Sequence, residues 1–311
     1  MSSFANDLLA GLSQSPKHIS PKYFYDLNGS KLFDQICDLP EYYPTRTEWA
    51  LLQNNASAIA KCLGSGIDLI EFGAGSLRKV ALLLDALIAN HLPPKSYVPI
   101  DISAEHLEAS CKKLQVQYPE LNVTPRVLDY SEDMTLPTQV MQSAHPKVGF
   151  FPGSSLGNFN HDQALSFLSR AAKALSGGGL LLGVDLVKDP QVLHAAYNDS
   201  QGITAAFNLN VLARANRELG ANFDLTAFDH YAFYQPREAR IEMHLQSKRA
   251  QTVNVLGHEF EFAQGESLHT ENSYKFTLDS LHRLALKAGF QIGEYWLDER
   301  EWFCMQWLIA P

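Results

Sequence analysis

The segment Glu71-Phe72-Gly73-Ala74-Gly75-Ser76 sets two glycines between an apolar run of strand character and a segment of helical period. Without Cβ atoms, such a turn is tight and lets the backbone approach a bound nucleotide. The dinucleotide fingerprint asks for a third glycine, and Arg78 stands there instead. Asp101, at the end of the next apolar run, is placed to accept both hydroxyls of an adenosine ribose. One run further on, Asp129 and Tyr130 suit an adenine amino group and its ring face. This set fits S-adenosyl-L-methionine better than a nicotinamide dinucleotide. Lys79, in the helix after the glycines, reads either as a solvated helix residue or as the partner of the methionine carboxylate. Taken singly, Asp101 and Asp129 also read as helix N-caps.

Further along, Gly153-Ser154-Ser155-Leu156-Gly157 only loosely resembles a nucleophile elbow. Asn158 follows it, in the loop where a substrate would meet a nucleotide, or as a simple turn amide. The 11 histidines include no H-x-x-x-H and no His/Cys cluster, so no metal site is expected from their spacing.

These residues need a scaffold that brings strand ends together. From Ile67 to Leu186, near-continuous apolar runs alternate with amphipathic helical segments and end at Gly73, Asp101, Asp129, Gly153 and Asp185. That rhythm predicts an α/β fold with a parallel, Rossmann-type sheet covered on both faces and a ligand beyond the carboxyl ends of its strands. The runs include Val123 to Leu128; Asn160 with Gln163 reads as a capping box for the helix that follows. After Lys275 the rhythm returns, with Gln291–Trp296 and Trp302–Ile309 joined by the charged turn Asp298-Glu299-Arg300-Glu301. Residues before about 60 and from about 188 to 274 lack the rhythm.

Composition narrows the function classes. Against 25 Lys+Arg stand 34 Asp+Glu, a net charge of -9, which repels a phosphate backbone and argues against nucleic acid as partner. No run approaches the ~18 apolar residues of a membrane span. The N-terminus has no basic region followed by an apolar run, so no signal peptide is expected. Cys37, Cys62, Cys111 and Cys304 are scattered, and the expectation is buried thiols in a reducing, cytoplasmic compartment. Oligomeric state is not set by the sequence, and a monomer is compatible with it.

Longer motifs carry a resemblance. Tyr23-Phe24-Tyr25-Asp26, Gly29-Ser30-Lys31-Leu32-Phe33-Asp34 and Leu39-Pro40-Glu41-Tyr42-Tyr43-Pro44-Thr45-Arg46 closely resemble the histidine-specific methyltransferases of ergothioneine biosynthesis. So do Gly153 to Asn158, Asp185 to Asp189, Gly202 to Asn208, Arg240 to Met243, and Thr270 to Phe276. The likeness runs from about residue 16 to the end. It departs at Ala74, Tyr130 and Asn272, where Ser, Phe and another middle residue are familiar.

The resemblance implies a Rossmann-type methyltransferase domain, residues 46–187 and 275–311, and a smaller mixed α+β substrate-recognition domain, residues 1–45 and 188–274. Gly73, Lys79, Asp101, Asp129 and Tyr130 fall on cofactor positions. Tyr42, Asn158 and Tyr197 fall on positions that hold the amino-acid end of L-histidine, Tyr42 and Asn158 being the catalytic candidates. Gly153 belongs to the same loop. Glu271 and Ser273, on one face of a strand by alternation, fall on the pair that recognises the imidazole, with Met243 beside it and Tyr25 and Phe33 in the same pocket. The implied reaction carries methyl groups from S-adenosyl-L-methionine to the α-amino nitrogen of L-histidine, giving the trimethylated betaine. The chain has no room for a fused oxidase, so methylation alone is expected. No general base is evident; a tyrosine or water could take the proton. Alternatives are an N-methyltransferase for another aromatic amino acid such as tryptophan, or a non-catalytic amino-acid-binding protein. An NAD-dependent oxidoreductase is disfavoured by the missing glycine.

Overall fold

The computed structural model describes residues 2–311. The chain forms two compact units. One comprises Pro44–Val187 and Tyr274–Pro311; the other runs to Tyr43 and resumes over Lys188–Ser273.

The first unit is built on a seven-stranded sheet. Its order is Gln291–Leu297, Phe303–Ile309, Gly179–Asp185, Lys147–Phe151, Asp68–Phe72, Ser96–Asp101, Arg126–Val127. The strands from Gly179–Asp185 to Arg126–Val127 run parallel, and Phe303–Ile309 pairs antiparallel on both sides. Alternation along each strand feeds two cores. Ile70, Phe72, Val98, Ile100 and Phe151 join one with Phe167, Leu168 and Leu281. Leu69, Tyr97, Val148 and Phe150 join the other with Leu51, Leu83, Leu84 and Leu107. Burial on both faces is why these strands read as continuous apolar runs.

Local signals end the elements as expected. Asn160 and Gln163 form a complete capping box on the helix His161–Ala174. The Asp298 carboxylate accepts from the backbone N–H groups of Trp302 and Phe303, 2.7 Å each, and so shapes the turn between the last two strands. One strand is shorter than expected. The run Val123–Leu128 yields only Arg126–Val127, with a single bridge between Val123 and Tyr97. Pro125 has no N–H to give the ladder and interrupts the strand at the sheet edge.

The second unit holds a four-stranded sheet ordered Lys17–His18, Ser267–Tyr274, Arg240–Ser247, Phe228–Gln235, and a hairpin of Gln251–Val255 with His258–Phe262. Helices Ser3–Leu12, Leu27–Asp38, Pro190–Tyr197 and Ile203–Leu219 accompany them. The missing strand–helix rhythm is thus a change of architecture, not of order. Asp26 caps Leu27–Asp38 by accepting from the Gly29 N–H at 2.7 Å, and Asn210 of the long helix donates to the same oxygen at 2.9 Å.

All four cysteines are free. Cys111 and Cys304 are buried as expected, whereas Cys37 and Cys62 are partly exposed because each lies at the margin of its helix's apolar face. No helix among the described residues is long and apolar enough to cross a membrane.

Candidate active site

The sheet reverses its winding at Asp68–Phe72, which pairs with Ser96–Asp101 on one side and Lys147–Phe151 on the other. Ligands of open α/β sheets lie beyond the strand ends at such a point. Three loops meet these ends here. In the first, Gly73 and Gly75 have φ of 69° and 53°, a left-handed backbone that favours glycine. A Cβ on Gly73 would stand 3.2 Å from the Tyr130 hydroxyl, and nothing lies within 4 Å of one on Gly75. The loop is therefore closed toward Tyr130 and open at Gly75.

Asp101 does not cap the following helix. Its Oδ2 accepts from Gly75 N–H and its Oδ1 from Ser103 N–H, both at 2.9 Å, and Ser103 is the N-cap of Ala104–Gln117. A carboxylate has about four acceptor sites. Asp101, only partly buried, retains capacity for a pair of ribose hydroxyls. Asp129 likewise caps no helix: its Oδ1 accepts from Ser131 N–H at 3.0 Å in a tight turn. The Tyr130 ring meets Phe72, Phe151 and Phe167 at 5.5–6.3 Å. Burial, then Asp101 and Asp129, push its phenol well above the usual range. It is a neutral aromatic wall.

Lys79 is engaged by an acid that spacing alone did not single out. Glu48, fully buried on the helix Tyr43–Asn54, pairs with the Lys79 ammonium and takes the Gly153 N–H on both oxygens at 2.9 and 3.0 Å. Its signal was legible in principle: Glu48, Leu51 and Leu52 fall at i, i+3, i+4, a charge on a buried helical face. Gly153 is left-handed, φ 79°, and a Cβ there would lie 3.4 Å from Lys79 Nζ. The turn Ser155–Asn158 is closed by its backbone, with Gly157 N–H donating to Ser154 O at 2.8 Å. The partly exposed Asn158 side chain makes no hydrogen bond among the described residues, so it is not the amide that holds the turn.

The same unit holds a second buried pair, Lys275 Nζ to Asp185 Oδ2 at 2.9 Å. Asp185 N–H also donates to Ser154 Oγ at 2.9 Å. The end of Gly179–Asp185 is thereby tied to the Gly153–Asn158 loop.

In the second unit, rings gather. Tyr25 packs edge-on to Phe33 at 5.7 Å, Phe33 meets Tyr42 at 6.4 Å, and Tyr42 meets Tyr197 at 6.3 Å. Phe207, within the motif Gly202 to Asn208, contacts both Tyr25 and Phe33. Tyr197 Oη donates to Ser273 Oγ at 2.7 Å. Burial raises the Tyr42 phenol well above its ordinary range, reinforced by Tyr197, Cys37, Tyr25 and Glu271. Tyr42 thus stays protonated at neutral pH and is no phenolate base. Glu271 and Ser273 share the strand Ser267–Tyr274, and both are buried. Met243 is 1% exposed, and its carbonyl accepts from Thr270 Oγ1 at 3.0 Å.

His230 fixes Tyr197 from behind. Asn208 donates to its Nδ1 at 2.9 Å, so its Nε2–H donates to the Tyr197 carbonyl at 2.8 Å. Nothing in the spacing of His230 marks this role; only the packing of Phe228–Gln235 reveals it.

The histidine spacing gave no metal pattern, yet Glu242, His244 and His269 each offer a ligand atom within 4.8 Å of the others. Pairing of two strands joins residues that sequence separates.

The fold is a Rossmann-type α/β sheet with an antiparallel edge and a glycine loop at its switch point, the frame of a nucleotide-dependent transferase. Comparison with known proteins specifies it. The profile of the family described as histidine-specific, S-adenosylmethionine-dependent methyltransferases matches residues 4–310, and the chain belongs to that family. It is similar to a histidine N-alpha-methyltransferase from Mycolicibacterium smegmatis, 41% identical over 299 residues, covering 94% of this chain and 90% of that one. A protein of the same description from Mycobacterium tuberculosis is 38% identical over 296 residues, with the same coverage of 94% and 90%. An ergothioneine biosynthesis protein 1 from Neurospora crassa is 29% identical over 302 residues, covering 92% of this chain and 32% of that longer one. The chain is an enzyme that methylates histidine, and S-adenosyl-L-methionine is its methyl donor.

Proposed function

We propose that the chain transfers methyl groups to the α-amino nitrogen of L-histidine, through to the trimethylated betaine, in ergothioneine synthesis. In this reading the unit with the seven-stranded sheet holds the donor and the other unit recognises histidine. The observation that carries the substrate assignment is the buried Glu271–Ser273 pair on one strand, with the serine hydroxyl held by Tyr197. A carboxylate accepts one imidazole N–H, and a hydroxyl serves the other ring nitrogen as donor or acceptor. An indole would leave one of these groups without its partner, at ~1–3 kcal/mol.

The donor residues fit their ligand. Asp101 has acceptor capacity for ribose hydroxyls, Gly75 leaves space, Asp129 serves the adenine amino group, and neutral Tyr130 covers the base. Lys79, steadied by Glu48 beside Gly153, takes the methionine carboxylate. When bound, S-adenosyl-L-methionine supplies a methyl carbon on a positively charged sulfur that leaves as a neutral thioether. The remaining work is positional. Tyr42, Tyr197 and Asn158 orient the amine and carboxylate of histidine, while Tyr25, Phe33 and Phe207 exclude water. Because Tyr42 keeps its proton, it acts by hydrogen bonding, and the amine loses its proton to water, aided by like-charge repulsion from the sulfonium. The free thiols support a reducing, cytoplasmic setting.

Mass spectrometry of histidine incubated with S-adenosyl-L-methionine tests the reading. One, two and then three methyl masses on the α-nitrogen are expected. Methylation of an imidazole nitrogen would overturn it.

A further inference from the structure

Outside the residues assigned to methyl transfer, the second unit gathers an acid and two imidazoles on the face of its four-stranded sheet. Glu242 and His244 are alternate residues of Arg240–Ser247 and so share a face; His269 comes from the adjacent strand Ser267–Tyr274. One ligand atom from each lies within 4.8 Å of the others. We propose that Glu242, His244 and His269 form a binding site for a divalent cation of borderline softness, Zn2+ being the reference ion.

The groups around the cluster are arranged as the outer partners of metal ligands are. Arg240 donates to Glu242 Oε1 through Nε at 2.9 Å and Nη2 at 2.6 Å, which directs Oε2 to His244 Nε2 at 3.1 Å. An ion in this position replaces the proton shared there. The His244 tautomer then changes, and Nδ1–H donates to Ser267 Oγ, now at 3.2 Å. His269 Nε2 faces the Glu271 carbonyl at 3.0 Å; a carbonyl only accepts, so Nε2 carries the hydrogen and Nδ1 keeps its lone pair. The two imidazoles stack at 4.6 Å and 13°, and Phe233 stacks on His244 at 5.5 Å, which limits their rotation. Glu242 and His244 side chains retain 12% and 13% exposure, an entry path for an ion.

Two nitrogens and one carboxylate oxygen suit zinc, with metal–ligand distances of about 2.0–2.2 Å and a fourth position for water. Harder ions such as magnesium prefer oxygen sets. The ion would clip two neighbouring strands, and one of them carries Glu271 and Ser273 two and four residues beyond His269. Zinc is therefore expected to raise the melting temperature of the chain. The site stands independently of the histidine assignment.

Titration of the full, tag-free chain with Zn2+ by calorimetry tests this. One ion per chain is expected, with little heat from Mg2+. His244→Ala with His269→Ala should weaken binding by on the order of 100-fold or more, and Ser267→Ala by ~10-fold, as outer-partner changes do. His269→Gln keeps a donor for the Glu271 carbonyl and serves if the alanine variant fails to fold; the same loss is expected. An unchanged circular dichroism spectrum with a cooperative thermal melt reports that each variant is folded. No zinc uptake by the wild type, or wild-type affinity in a folded double variant, overturns the proposal. The second result would place the ion elsewhere on the chain.

Discussion

In the unit built on the seven-stranded sheet, two of the buried acids, Glu48 and Asp185, are matched by Lys79 and Lys275. In the other unit, the region around Tyr42 is made of rings and hydroxyls, with Glu271 as its buried acid. On the proposed division of labour between the units, the contrast follows from the ligands. A charged donor calls for fixed charges held on rigid strand ends, which remain costly to bury and must be paired. An amino acid with a small aromatic ring calls for shape and a few placed hydrogen bonds. Substitutions that break these buried charge pairs should thus register as stability, and those at the polar groups around Tyr42 as binding.

The largest effect expected from this contrast is that of Lys275→Met. It leaves the Asp185 carboxylate buried without its ammonium, a loss of about 3–5 kcal/mol. Urea unfolding measures it, and a loss under 1 kcal/mol would show that the pair adds little to the fold.

Next comes Glu271→Ala. Removing a charged acceptor costs ~1.5–3 kcal/mol, so histidine affinity should fall by roughly 10- to 100-fold with S-adenosylhomocysteine affinity unchanged. Calorimetry with each ligand separates the two. Asp101→Ala is its mirror image: affinity for S-adenosylhomocysteine should drop by about tenfold or more, while histidine binding holds. If either variant weakens both ligands equally, the division of labour between the units is wrong.

An effect with a pH signature is expected at Glu71. Burial pushes its carboxyl from 4.5 up to about 8, against the pull of the Tyr97 hydroxyl and Lys79. The unfolded chain ionises this group first, so the folded state loses stability as pH rises from 4.5 toward 8. Glu71→Gln should therefore raise the melting temperature at pH 8 more than at pH 5, by roughly 2–4 °C per kcal/mol recovered. The smallest effect belongs to His230, whose pKa is lowered by burial despite its bond to the Tyr197 carbonyl. The unfolded chain takes up the proton first, so this contribution is lost as pH falls below 6.5. His230→Gln should flatten the stability profile between pH 7 and 5, as thermal melts across that range would record.

Much of the first unit could be read along the chain because its signals are local. Apolar strands, the Gly73 and Gly75 turn, the Asn160–Gln163 box and the acids at strand ends are each set by neighbours within a few residues. Pro125 shortened a strand by an equally local rule that the apolar run concealed. The second unit gave no strand–helix rhythm to read, since its helices and strands follow no repeated order.

By its sequence alone the protein determined its α/β sheet, its glycine loop and the run of strand-end residues that a nucleotide requires. Its family motifs also named the candidate residues for a histidine pocket. The tertiary structure decided the partners. Glu48 reaches Gly153 across 105 residues of chain, Tyr197 reaches Ser273 across 76, and His244 stacks on His269 only because two strands pair. Periodicity reports which face of an element is buried. It holds no information about which buried polar group stands opposite, and that choice falls to long-range packing, where each buried donor, acceptor and charge must find its match.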